Sequence, residues 1–153
     1  MAAEIERKFL VKADAWRDGT AGVRMAQGYL TRDVDRTVRI RIAGEKAWIT
    51  IKGRNEGITR QEFEYEIPLT DGRDLLDMCL PGVIDKTRHE VAHAGHVWEV
   101  DVFHGANDGL VVAEVELEDA EISPELPSWV GEEVSVDARY YNSSLGEKPF
   151  KSW

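Results

Sequence analysis

Charged residues recur at every second position in segment after segment of this chain. Glu4-Ile5-Glu6-Arg7-Lys8 puts two carboxylates and an ammonium on one parity, and Arg39-x-Arg41, Glu62-x-Glu64, Lys86-x-Arg88, Glu99-x-Asp101 and Glu114-x-Glu116 repeat the spacing. Carboxylate oxygens are ligands for hard divalent cations. Guanidinium and ammonium groups grip oxyanions, arginine through a forked pair of donors. The signs are sorted between segments, with Lys52 adding to the basic set. Like charges two apart on one strand face repel and cost stability unless something binds them. The pattern therefore points to two bound species, cations for the carboxylates and a polyanion for the bases.

A period of two is the signature of β-strands, whose successive side chains point to opposite faces. The segments around each pair obey it. Val38, Ile40 and Ile42 oppose Arg39 and Arg41; Phe63, Tyr65 and Ile67 oppose Glu62, Glu64 and Glu66; Trp98, Val100 and Val102 oppose Glu99 and Asp101. Strands are expected near 4–11, 22–31, 37–42, 46–52, 61–68, 83–91, 97–103 and 110–118. Gly44-Glu45, Ala94-Gly95 and Asn107-Asp108-Gly109 mark turns between them. Helical segments are few. A turn through Trp16 to Asp18 closes at Gly19, a helix from Thr70 carries Leu75, Leu76, Cys79 and Leu80 on one stripe, and a last helix runs from Ala138 to Leu145 behind Asp137.

Short turns and about eight antiparallel strands read as a mainly β (α+β) fold, a closed eight-stranded barrel with a few flanking helices. Such a barrel is just wide enough to hold one small ligand. The sorted charges place the polar face inward. The apolar outer faces then need cover, from the helices or from a second copy of the chain as a homodimer. With 153 residues and no linker or internal repeat, the whole chain, 1–153, is read as one domain.

Composition narrows the function classes. A net charge of −10 argues against a nucleic-acid partner, which needs a surplus of Lys and Arg. No apolar run approaches a membrane span, so no membrane partner is expected. The acidic start lacks the basic-then-apolar pattern of a signal peptide, and the single cysteine, Cys79, suits a reducing compartment, so the expected location is cytoplasmic. His89, His93 and His96 flank a hairpin turn without the spacing of a zinc site and, with His104, are read as surface or structural residues.

The ordered set of pairs resembles the CYTH superfamily, also called triphosphate tunnel metalloenzymes. Glu4-Ile5-Glu6-Arg7-Lys8 matches its E-x-E-x-K opening, and Gln27-Gly28-Tyr29-Leu30, Ile51-Lys52-Gly53 and Arg139-Tyr140-Tyr141-Asn142 extend the likeness along nearly the whole chain. The resemblance implies a tunnel that binds a triphosphate with Mg²⁺ or Mn²⁺ and, for a short stand-alone chain, hydrolysis of inorganic triphosphate to pyrophosphate and phosphate. Lys8, Arg39, Arg41, Lys52, Lys86 and Arg88 would then bind the substrate. Glu4, Glu6 and Glu116 would hold the metal that bridges the phosphates. Glu62, Asp101 and Glu114, with Glu64 nearby, would serve a second metal or the attacking water. Lys8 and Tyr29 are the pair expected to take part in the chemistry. The alternatives are another triphosphate (ATP, thiamine triphosphate, or cyclisation of ATP to cyclic AMP), a non-catalytic polyphosphate-binding module, and a structural barrel with a solvated charged face.

Overall fold

The structure is a computed structural model that describes residues 3–17 and 20–153. Nine strands form one antiparallel sheet: β1 (Ala3–Val11), β2 (Val23–Thr31), β3 (Arg36–Ala43), β4 (Lys46–Gly53), β5 (Thr59–Ile67), β6 (Ile84–His93), β7 (His96–Phe103), β8 (Val111–Glu116) and β9 (Val130–Glu133). Their order is β5-β4-β3-β2-β6-β7-β8-β1, and a further β1–β5 pairing closes the first eight into a barrel. Closure removes the sheet edges that would otherwise recruit other chains.

The closing strand is shared. β1 pairs with β8 along Glu6–Leu10 on one edge; on the other, Ala3–Ile5 pairs with β5 and the segment from Phe9 to Val11 pairs with β9. β9, which is not among the strands expected from sequence, takes up the backbone that β5 releases. Val134 N–H donates to the Lys8 carbonyl at 2.8 Å and Lys8 N–H donates to Ser135 Oγ at 3.0 Å. Two-residue hairpins join β3 to β4 and β6 to β7, with positive φ at Gly44 (59°), Ala94 (49°) and Gly95 (83°).

Outward-facing apolar residues are covered on two sides. Phe9, Trp98, Val100, Ala113 and Val115 of β1, β7 and β8 pack with Trp16, Leu117 and Trp129 in one core. On the opposite wall α1 (Leu69–Asp77) lies on β3 and β4 so closely that a methyl at Gly72 would strike the Ala47 side chain. The expected turn near Trp16 is a 3₁₀ turn over Ala15–Arg17, and its predicted end at Asp18 and Gly19 lies outside the described residues.

The interior is not polar throughout, as the alternating charges imply. Leu10, Ile84, Phe103 and Val112 share parity with Lys8, Lys86, Asp101 and Glu114, and they meet Val134, Tyr140, Leu145 and Phe150 in a second core that fills one end. The C-terminal segment supplies that cover, although not as the continuous helix expected over 138–145. A 3₁₀ turn at Ala138–Tyr140 stops at Tyr141, which is extended (φ −69°, ψ 136°), and α2 (Asn142–Glu147) follows. No helix among the described residues is long and apolar enough to cross a membrane.

Candidate active site

The inward faces enclose a cavity of about 220 Å³. It is lined by Glu4, Glu6, Lys8, Tyr29, Arg39, Arg41, Lys52, Glu62, Glu64, Lys86, Arg88, Glu114 and Glu116, which are all the site residues expected from sequence except Asp101. Strand register explains the convergence. Cross-strand pairing sets Glu6 opposite Glu116, Lys8 opposite Glu114 and Lys52 opposite Glu62, so residues far apart in sequence face one another by backbone geometry alone.

Asp101 lies behind the cavity wall, 1% exposed. Both its carboxylate oxygens are taken: Arg88 donates through Nε at 2.8 Å and Nη2 at 2.9 Å, and Lys86 Nζ donates at 2.8 Å. It does not line the cavity with the other carboxylates expected from sequence; it pairs with two cations. Its strand neighbour Glu99 lines the cavity instead and accepts from Arg88 Nη1 at 2.9 Å. Arg139 is turned away, bound to Asp137 at 2.7 Å.

The remaining contacts divide the cavity into an acidic and a basic part. On the acidic side Lys52 Nζ sits 2.9 Å from Glu4 and 3.7 Å from Glu62. Lys8 Nζ lies 3.4 Å from Glu114 and donates to the Tyr140 carbonyl at 3.1 Å. On the basic side Arg39 Nη2 meets Glu64 at 3.3 Å, while Lys86 Nζ also donates to Asn142 Oδ1 at 3.0 Å. Arg41 meets no carboxylate among the described residues; its Nε donates to Gln27 Oε1 at 3.2 Å.

Electrostatics follow this division. Burial, then repulsion from Glu114 and Glu4, holds the Glu6 carboxyl well above the usual carboxylate range. Burial and neighbouring carboxylates also raise Glu62 and Glu116, and burial raises Glu99 against the pull of Arg88. Glu4 is lowered because Lys52 outweighs its burial, and Glu114 falls to about 2 because Lys8 and Arg88 outweigh both burial and Asp101. Among the cations, burial together with Arg39 and Arg88 lowers Arg41 to about 10. Burial, partly offset by Asp101, brings Lys86 to about 7 with further help from Arg88 and Arg41. Carboxylates crowded enough to resist ionisation are short of cations, and cations crowded enough to resist protonation are short of an anion.

The donor set fits a hard divalent cation. Glu4, Glu6, Glu62 and Glu116 offer carboxylate oxygens in one cavity, three of the four with raised pKa. No three acidic, histidine or cysteine side chains among the described residues converge into a ready cage. Hard cations such as Mg²⁺ take carboxylate oxygens and complete their shell with waters and substrate phosphates.

Besides Glu99, three further contributors were given no role from sequence, although each stands in a motif of the resemblance. Gln27 has 0% exposure and sits at the heart of the basic part, while Asn142 and Tyr141 reach the cavity from the end of the chain. The parity of β2 marked Gln27 as inward, but a neutral amide carries no charge signal. Nothing local signals that Asn142 would reach β2 and β6.

A closed antiparallel barrel with a charged lumen divided between acids and bases is the class these features define. Residues 2–145 match the CYTH domain, and the chain belongs to that family. It is similar to an inorganic triphosphatase of Acetivibrio thermocellus, at 44% identity over 100% of this chain and 99% of that protein. An inorganic triphosphatase of Nitrosomonas europaea is 39% identical over 93% of this chain and 95% of its own length. Among solved structures, the crystal structure of an inorganic triphosphatase superposes with a TM-score of 0.68 at 37% identity, covering 95% of each chain. A triphosphatase-active protein from Hippeastrum, at 16% identity and TM-score 0.62 over 77% of this chain and 81% of its own, shares the fold.

Proposed function

We propose that the chain hydrolyses inorganic triphosphate to pyrophosphate and phosphate within the barrel, using Mg²⁺ or Mn²⁺. One observation carries the reading: a single small cavity holds both a cluster of carboxylates whose pKa values are raised by burial and mutual repulsion and a cation, Arg41, that meets no carboxylate among the described residues. A metal–polyphosphate complex satisfies both at once. The identities to two inorganic triphosphatases support the choice of substrate.

Arg39, Arg41, Lys52, Lys86 and Arg88 take the phosphate oxygens, and Asp101 fixes Lys86 and Arg88 from behind. Glu4, Glu6 and Glu116 would hold a divalent metal; Glu62 and Glu114, with Glu64 nearby, would face a second cation or the attacking water. A bound divalent cation neutralises phosphate charge and lowers the pKa of a coordinated water. Water attacks the terminal phosphorus, the bridging P–O bond breaks, pyrophosphate leaves with the bridging oxygen and its electron pair, and the proton lost by the water passes to the products or to solvent. Glu114 and Glu6 raise the Lys8 pKa beyond its burial penalty, so Lys8 acts as a cation and not as a base. No hydrogen bond joins Lys8 to Tyr29 among the described contacts. Tyr29 Oη accepts from Gln27 Nε2 at 3.4 Å, which leaves its own proton to donate toward the cavity. Both residues therefore act as donors to developing phosphate charge. A reducing, cytoplasmic setting suits the lone thiol of Cys79.

The test is product analysis. Inorganic triphosphate with Mg²⁺ is expected to give phosphate and pyrophosphate in equal amounts, with loss of turnover on chelation. Tight binding without turnover under every metal tried would make the chain a polyphosphate-binding module instead.

A further inference from the structure

Lys8, Arg39, Lys52, Lys86 and Arg88 each meet a carboxylate within 3.4 Å. Among the described residues Arg41 does not, and what holds it is the side-chain amide of Gln27, which is its cross-strand neighbour. We propose that Gln27 is a positioning residue that orients Arg41 through a neutral acceptor, so that Arg41 meets the phosphate chain with its full charge. The inference rests on the reading of the lumen as a polyphosphate site.

The orientation of the amide follows from donor and acceptor identities along a fixed chain. Paired with the Asp101 carboxylate, Lys86 Nζ donates as an ammonium, so Asn142 presents Oδ1 to it at 3.0 Å. The same Oδ1 accepts from Gln27 at 3.0 Å, so Gln27 turns Nε2 that way and toward Tyr29 Oη. Its Oε1 is left facing Arg41, which again can only donate. With 0% exposure, Gln27 has no water to exchange these partners for. A carboxylate here would hold Arg41 as firmly and cancel the charge the substrate needs. Because only Nε is engaged among the described residues, the two terminal nitrogens of Arg41 are open to a bidentate grip on phosphate. Partly exposed Arg60 also lacks a carboxylate partner among the described residues, but the Gly53 carbonyl holds it from another wall.

The experiment compares Gln27→Glu and Gln27→Met with wild type, using calorimetric titration of inorganic triphosphate without metal, followed by steady-state kinetics. Gln27→Glu is expected to weaken triphosphate binding about ten-fold or more. Gln27→Met, which loses the acceptor and stays neutral, is expected to weaken it less. Triphosphate binding to Gln27→Glu as tight as wild type, or weaker binding to Gln27→Met than to Gln27→Glu, overturns the proposal. A purely structural amide would lower melting temperature in both variants without this ordering. Should Gln27→Glu not fold, Gln27→Met decides through its kinetics: KM rises with kcat nearly kept, whereas a fall in kcat at constant KM overturns the proposal. Wild-type turnover tests the triphosphatase reading separately, because the binding comparison needs no turnover.

Discussion

Glu6 concentrates the electrostatic tension of the lumen. It faces Glu116 across the β1–β8 ladder, and burial, joined by repulsion from Glu114 and Glu4, raises its pKa well above the usual carboxylate range. Two results are expected of Glu6→Gln. The melting temperature of the ligand-free protein rises, because a neutral amide removes the repulsion, and divalent-metal affinity by titration falls more than about ten-fold. Unchanged metal affinity would take Glu6 out of the site. Lys52→Ala is expected to lower triphosphate affinity while leaving the fold intact by circular dichroism, since the barrel closes through backbone pairs and the Lys52 ammonium closes none of them. At this scale the sequence pattern indicates which face a side chain takes but not its depth. Glu99 and Asp101 share parity, yet one lines the cavity and the other lies behind it, because Arg88 and Lys86 draw Asp101 into the wall.

Among the elements, the C-terminal segment shows how tertiary contacts override local preference. Asp137 does cap the turn as its position suggests, its side chain accepting from Arg139 N–H. The helix breaks at Tyr141 all the same, which lets Asn142 reach Gln27 and Lys86. A break made for partners on β2 and β6 leaves no mark in neighbouring residues. β9 escaped for a different reason: four residues, Val130-Gly131-Glu132-Glu133, are too few to show a period. Gly82 is the hinge against which α2 rests. Its φ of 95° suits glycine, and a Cβ there would collide with the Gly146 carbonyl. Gly82→Ala is expected to cost roughly 1–3 kcal/mol of stability, seen as a lower urea midpoint, through strain and overpacking together. A midpoint equal to wild type would show that α2 yields without penalty.

For the whole molecule, the alternating charges were enough to give the barrel and the inward polar face, because strand period and closed-sheet geometry leave few other arrangements. The apolar plug was hidden, since Leu10, Ile84, Phe103 and Val112 continue the inward parity as ordinary hydrophobic residues. The outer face of β4 and β5 stays open, with Ile51, Phe63 and Tyr65 between 38% and 58% exposed. Stability should depend on pH in two windows. Glu6, Glu62, Glu99 and Glu116 have folded-state pKa values above 4.5, so the folded chain keeps protons that the unfolded chain has released. The metal-free protein therefore loses stability as pH rises from 4.5 through those values. Glu114, at about 2, acts oppositely: its contribution is complete above 4.5 and disappears as pH falls toward 2. Mg²⁺ replaces the retained protons and is expected to raise the melting temperature more at about pH 8 than at about pH 5. An equal rise at both would mean that the cation binds elsewhere. The most direct test of the central claim is a comparison of kcat/KM for inorganic triphosphate and ATP, each with and without Mg²⁺ and Mn²⁺. Turnover is expected only with metal and with a clear preference for inorganic triphosphate; faster turnover of ATP, or undiminished turnover without metal, would overturn the proposed activity.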